Sequence, residues 1–293
     1  MKLQVYRTSA SSYQNSSFLK REQGELEKIE GVKYINSLKE TVKNIPFALI
    51  TNTHTKIEEV PQVILNKTSL MIHPNSGHDN LSSDFINNAK FPIIVGNPIR
   101  SHAVAEYVLS CLFREITPIP NHSHWSNERT WNRKLLRDQK VLIIGHGHIG
   151  RALNLSLSPL IKNLKVFDPN IKENLPVNII QHYSPEIFDK VDVLIVAADL
   201  NQSSRNLINR SVFNQLSSTG LIINAARGEI VNENDLVQFL QQNPKSKCYL
   251  DVFEKEPFVP GHLSQIENLN KTSHIAGVFN KLNQEIIDFE YQV

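Results

Sequence analysis

Residues 140–160 read KVLIIGHGHIGRALNLSLSPL, an apolar run followed by Gly145, Gly147 and Gly150 in G-x-G-x-x-G spacing and then by an amphipathic stretch. A glycine triplet alone means little, but placed directly after a strand and at the start of a helix it meets the requirements of a dinucleotide-binding turn. Gly145 permits the tight turn, Gly147 lets backbone amides approach a pyrophosphate, and Gly150 lets the helix pack close to the strand. His146, His148 and Ile149 lie in the same loop and count with it as cofactor contacts, while the ring chemistry of the two histidines is read as local. In VFDP, Asp168 stands about 20 residues beyond the fingerprint, where a carboxylate accepts hydrogen bonds from the adenosine ribose and repels the extra phosphate of NADP. Aspartate before Pro169 is also ordinary turn chemistry, so a simple cap is the competing reading.

The rest of the chain is consistent with that motif. Strands are expected at 140–145, 164–168, 191–198, 221–226 and 248–253, separated by helical segments such as 149–160, as in a doubly wound parallel sheet. Short apolar runs at 2–6, 47–52, 69–73 and 93–95 alternate with helical stretches such as 22–29 and give a second, smaller α/β lobe. Two lobes suit a length of 293 residues. RSHAVAEYVLSCLFRE, residues 100–115, is an amphipathic helix joining them, with Ser101 as its N-cap and Pro118 as its stop. Residues 118–138, with two tryptophans, show no period and read as a surface loop or short helix.

Composition narrows the function. A formal charge of +2 with scattered lysines and arginines provides no footprint for nucleic acid or an anionic membrane, which leaves a small-molecule partner. Cys111 and Cys248 sit in apolar runs without metal-ligand spacing, so reduced thiols and no metal are expected. The first ten residues read as a strand and no apolar run is long enough to span a bilayer, which points to a cytoplasmic protein.

Five segments carry a resemblance: NSGHDN (75–80), HAVAEYVL (102–109), GHGHIG (145–150), INAARGEIVNENDL (223–236) with DVFEKEP (251–257), and SHIAG (273–277). In order and spacing they resemble the D-isomer-specific 2-hydroxyacid dehydrogenases over residues 72–277. The resemblance implies a Rossmann-type NAD(H) domain, 99–277, inserted into a flavodoxin-like substrate domain, 1–98 with 278–293. It also implies a homodimer built through the cofactor domain on a helix like 102–114. Arg227 would hold the substrate's carbonyl and carboxylate, Glu256 would pair with a histidine, and His274 would be the acid/base. Ser76 and Gly77 would grip the carboxylate through backbone amides, and Ala226 would touch the cofactor.

The chemistry asks for those residue types independently. Reducing a 2-oxo acid needs a hydride at the carbonyl carbon and a proton at its oxygen, a task suited to histidine. A neighbouring carboxylate favours the imidazolium, and arginine presents a planar fork matched to a carboxylate. Asp251, at a strand end, either orients the nicotinamide or caps a turn. Two departures stand out: Asp199 and Asn201 replace the family's usual proline and threonine, and after SHIAG only 278–293 remain, which predicts a short closing segment. The expected activity is reduction of a small 2-oxo acid in an interdomain cleft. The alternative is an NAD(H)-sensing, corepressor-like binding protein that keeps the same three residues.

Overall fold

Every strand pairing among the described residues is parallel, as strands alternating with helices require when each crossover returns to the same edge. The computed structural model describes residues 2–11, 14–121, 124–171, 178–259, 261 and 263–293. It divides into one unit of Met1–Ser101 with Val278–Val293 and another of His102–Gly277.

The first unit contains β1 (Leu3–Arg7), α1 (Ser16–Leu26), β2 (Val32–Tyr34), β3 (Phe47–Ile50), α2 (Gln62–Leu65), β4 (Thr68–His73), α3 (Ser83–Asn88) and β5 (Ile93–Val95). Its sheet order is β2-β1-β3-β4-β5, the flavodoxin-like order, with the strand direction of travel reversing between β1 and β3. Ligands in such sheets bind beyond the carboxyl ends of the strands. α4 (Asn97–Ile116) then carries the boundary between the units. It begins before the expected start, with Pro98 in its first turn, where proline's missing N–H costs nothing. Ser101 therefore does not cap it; its hydroxyl donates to the Pro98 carbonyl at 3.1 Å inside the helix.

The second unit contains β6 (Lys140–Ile144), α5 (His148–Leu157), β7 (Asn163–Phe167), β8 (Ile179–Ile180), β9 (Val193–Val196), α6 (Arg210–Phe213), β10 (Leu221–Asn224), α7 (Glu233–Gln242), β11 (Lys247–Leu250) and β12 (Leu269–Lys271). The sheet order β12-β11-β10-β9-β6-β7-β8 is the Rossmann order with one strand added at an edge. The central strands β9 and β10 are buried at every position, so they read in sequence as unbroken apolar runs rather than as alternating ones. The short edge strands β2, β8 and β12 escape sequence reading because so few residues establish no period.

The closing segment forms an 11-residue helix, α8 (Leu282–Gln292), in the first unit. Leu282, Ile286 and Ile287 pack there with Phe18 and Ile99. The Arg7 guanidinium, at the end of β1, bonds Glu22 of α1 and Glu290 of α8, and the Tyr34 hydroxyl donates to Glu22 at 2.6 Å. Burial drives the Glu290 carboxyl well above its ordinary range, because one guanidinium serves two buried carboxylates. Among the described residues of 118–138, a single turn at Leu136–Asp138 is regular; Arg129 lies over the exposed rings of Trp125 and Trp131, 4.4 and 5.6 Å from their centroids.

Candidate active site

The fingerprint loop shows why its glycines are needed. Gly145 has φ +98, and a Cβ there would lie 2.7 Å from the Ala197 carbonyl oxygen, so a side chain is excluded on both counts. A Cβ on Gly150 would sit 2.1 Å from the Gly145 oxygen, fixing α5 tightly against the turn. At Gly147 no atom lies within 4 Å of that position, and this residue caps α5 without any side-chain hydrogen bond. With no side-chain cap, the first-turn amides of α5 have no capping acceptor from Gly147, the condition that suits an anion at a helix N-terminus.

Asp168 makes the turn contacts of its capping reading. One oxygen accepts the His146 N–H at 2.8 Å, tying β7 to the glycine loop, and the other accepts the Asn170 N–H at 2.9 Å, closing the turn before the next segment. His146 Nδ1 is buried without a partner, and burial, then Arg151, lower that ring's pKa against the opposing pull of Asp168. The departure at 199–201 is self-contained: Asn201 Oδ1 accepts the N–H groups of Ser203 and Ser204 at 2.8 and 3.1 Å, and the Ser204 hydroxyl donates to the Asp199 carbonyl at 2.6 Å.

Arg227, Glu256 and His274, far apart in sequence, share the second unit and meet electrostatically. His274 Nδ1 lies 2.7 Å from Glu256 Oε2. Glu256 Oε1 accepts the Phe253 N–H at 3.1 Å, so the carboxylate is held from its own loop. Burial pushes the Glu256 carboxyl up, but the His274 hydrogen bond and charge, the Phe253 N–H and the Arg227 guanidinium together outweigh it and hold the pKa below its ordinary value. Arg227 is set by Asn224, the fully buried last residue of β10, whose amide donates to the Arg227 carbonyl at 2.9 Å and accepts the Ala226 N–H at 3.1 Å. Ala226 also receives a hydrogen bond, from Arg227 Nη1 to its carbonyl at 2.8 Å.

His274 adopts φ +55, a left-handed conformation uncommon for a side-chain-bearing residue, and Asp251 imposes it. The Asp251 carbonyl accepts the His274 N–H at 2.8 Å. Its carboxylate, 1% exposed, accepts the Ile275 and Ala276 N–H groups, both at 2.8 Å, and the Thr272 hydroxyl at 2.6 Å. Since Thr272 donates to that carboxylate, it accepts the hydroxyl of Tyr107, 2.7 Å away on α4. Asp251 is therefore the clamp of the histidine loop, the capping role that the sequence offered. Thr272 and Tyr107 went unread because nothing in their local spacing announces a partner so distant in the chain.

Ser76 and Gly77 lie in the first unit, in the loop after β4, both partly buried. Arg100 Nη1 donates to the Pro74 carbonyl at 2.6 Å, and Gly96 N–H to the His73 carbonyl at 2.8 Å.

Comparison with known proteins agrees with this geometry. Residues 112–276 match the family profile described as the D-isomer specific 2-hydroxyacid dehydrogenase NAD binding domain. The chain is 28% identical over 257 residues to an erythronate-4-phosphate dehydrogenase of Wigglesworthia glossinidia brevipalpis, covering 85% of this chain and 63% of that protein. It is 31% identical over 141 residues to a glyoxylate/hydroxypyruvate reductase A of Arabidopsis thaliana, covering 47% and 44%. It thus spans less than two thirds of each of these two relatives. Its fold is similar to that of D-lactate dehydrogenase from Aquifex aeolicus, solved with NAD and lactic acid, at TM-score 0.72 and 15% identity, covering 99% of this chain and 93% of that one. Among the described residues no helix is long and apolar enough to cross a membrane.

Proposed function

The chain belongs to the D-isomer-specific 2-hydroxyacid dehydrogenases and carries that family's NAD-binding domain, and from this premise we propose that it reduces a small 2-oxo acid to the D-2-hydroxy acid, and catalyses the reverse, with NAD(H). The observation that carries the reading is the 2.7 Å bond from His274 Nδ1 to Glu256. It occupies one ring nitrogen and leaves Nε2 to exchange a proton at the substrate oxygen, on a side chain 52% exposed.

Each residue then has a task. Gly145, Gly147, Gly150 and the first turn of α5 fit a dinucleotide pyrophosphate, with Asp168 favouring NAD over NADP. The bound nicotinamide supplies or accepts the hydride. His274 gives its proton to the carbonyl oxygen in reduction and takes it back in oxidation, while Glu256 stabilises the protonated ring. Arg227 offers a planar fork for the acid group and its neighbouring oxygen. Asp251 holds the backbone beneath His274 so that the imidazole need not be ordered during the reaction. Ser76 and Gly77 supply amide donors for the substrate carboxylate. The α4 segment 102–114 would serve a homodimer contact, checked by sedimentation mass.

The test follows absorbance of NADH, and separately NADPH, with glyoxylate, hydroxypyruvate, pyruvate, 2-oxoglutarate and bulkier 2-oxo acids. Turnover on one of these with NADH preferred is the expected result. Tight NADH binding without turnover on any would refute the enzyme reading in favour of a sensor.

A further inference from the structure

The loop after β4 has carbonyls held at both ends and spare amides between them. The His73 carbonyl accepts from Gly96, that of Pro74 from Arg100, and that of Gly77 from the ring Nε2 of His73 at 2.9 Å. Among the described residues no acceptor meets the backbone N–H groups of Asn75, Ser76 or Gly77. Consecutive amides without an internal acceptor are available to an anion.

His73 holds the far end of that loop, at the Gly77 carbonyl, and its geometry admits one protonation pattern. The Gly77 carbonyl can only accept, so Nε2 carries the hydrogen. In the neutral ring Nδ1 is then an acceptor, and the Thr51 hydroxyl, 2.8 Å away, donates to it. Thr51 and His73 are both fully buried. Burial lowers the His73 pKa to about 4, so the ring stays neutral throughout the physiological range and cannot serve there as a proton donor to substrate. A leucine in its place would occupy a fully buried position without needing two polar partners. What the histidine adds is a rigid donor, locked in one tautomer by Thr51 just beyond β3 and reaching four residues along the chain to the loop.

We propose that His73 is a positioning residue for the substrate's carboxylate, its Thr51-locked ring holding the Gly77 carbonyl so that the amides of residues 75–77 stay presented to the acid. This rests on the reading of the Ser76–Gly77 loop as the carboxylate grip. Without the ring bond the Gly77–His78 peptide at the end of the loop is released, and ordering the loop again on binding weakens the acid's affinity by about tenfold, the worth of one buried neutral hydrogen bond.

The probe is oxamate, the unreactive amide analogue of a 2-oxo acid, titrated calorimetrically into the NADH-saturated protein. His73→Leu should weaken oxamate about tenfold while NADH affinity stays within twofold of wild type. His73→Gln, which keeps an N–H near the position of Nε2, should recover most of the loss. Thr51→Val should show an intermediate weakening, because the tautomer is no longer enforced. Wild-type oxamate affinity in His73→Leu, or a His73→Gln protein no better than His73→Leu, overturns the proposal. If His73→Leu fails to fold, Thr51→Val decides, and unchanged oxamate affinity there overturns it equally. Ser76→Pro deletes one loop amide and separates the two readings. If it weakens oxamate while the His73 variants do not, only the role of His73 falls. If neither it nor His73→Leu changes binding, or wild type binds no oxamate, the loop is not the grip and the reading beneath falls too.

Discussion

Replacing Asp251 by asparagine should loosen the histidine loop without removing any side chain that touches substrate. The carboxylate accepts three hydrogen bonds, from Thr272 and Ile275 on Oδ1 and from Ala276 on Oδ2. An asparagine oxygen can replace only one of those two oxygens. With the oxygen in the Oδ1 position, its NH2 meets the Ala276 N–H; flipped, it meets the Ile275 N–H. Either way one buried backbone donor is left facing another donor, at about 1–3 kcal/mol, and the surviving bonds lose their charge assistance at about 0.5–1.5 kcal/mol each. Relief of a buried charge offsets part of this, giving a net loss of about 2–4 kcal/mol. For a unit the size of His102–Gly277, about 2–4 °C per kcal/mol converts to a melting point roughly 5–15 °C lower. Calorimetry measures the melting point, and amide exchange should show the Ile275 and Ala276 protons losing protection ahead of the β6 and β9 core. NADH should still bind at a permissive temperature while turnover falls, because His274 loses its imposed backbone conformation. A variant melting within 1 °C of wild type with protection intact at 275 and 276 would show that Asp251 is not the clamp.

His274→Gln should lower turnover roughly 100-fold or more on the best substrate with NADH affinity nearly intact, as measured by steady-state rates and fluorescence titration, whereas wild-type turnover would remove His274 as the acid/base. The depressed Glu256 pKa means that its contribution to stability is present above the ordinary carboxylate value of 4.5 and is lost as pH falls through the lower folded value. The melting-point advantage of wild type over Glu256→Gln should accordingly shrink as pH falls below about 4.5, and an advantage unchanged through that acid range would count against the ion pair. Gly228→Ala places a Cβ 1.9 Å from the Phe253 carbonyl carbon and 2.4 Å from the Glu254 nitrogen. Backbone cannot rotate away as a side chain can, so a loss of about 1–3 kcal/mol is expected by thermal melting, with turnover falling as the segment leading to Glu256 shifts.

The glycine spacing, the buried runs of β9 and β10 and the order of strands and helices specify two α/β units from the sequence alone, because these features are periodic or act over a few residues. Residue type and motif order likewise named Arg227, Glu256 and His274, and the fold brings Arg227 and His274 to bear on Glu256. Helix starts were less legible: Ser101 looks like a cap until Pro98 proves able to open the helix earlier. What only the tertiary structure decided are the supports: Asp251 under the histidine loop, Tyr107 behind Thr272, Asn224 behind Arg227, and the Thr51–His73–Gly77 relay. Most of these contacts join residues distant in sequence or on different elements, and the rest bind side chains to backbone atoms, which have no identity in a sequence. A buried polar side chain acquires its role from the partner that satisfies it, and that partner exists only once the chain has folded.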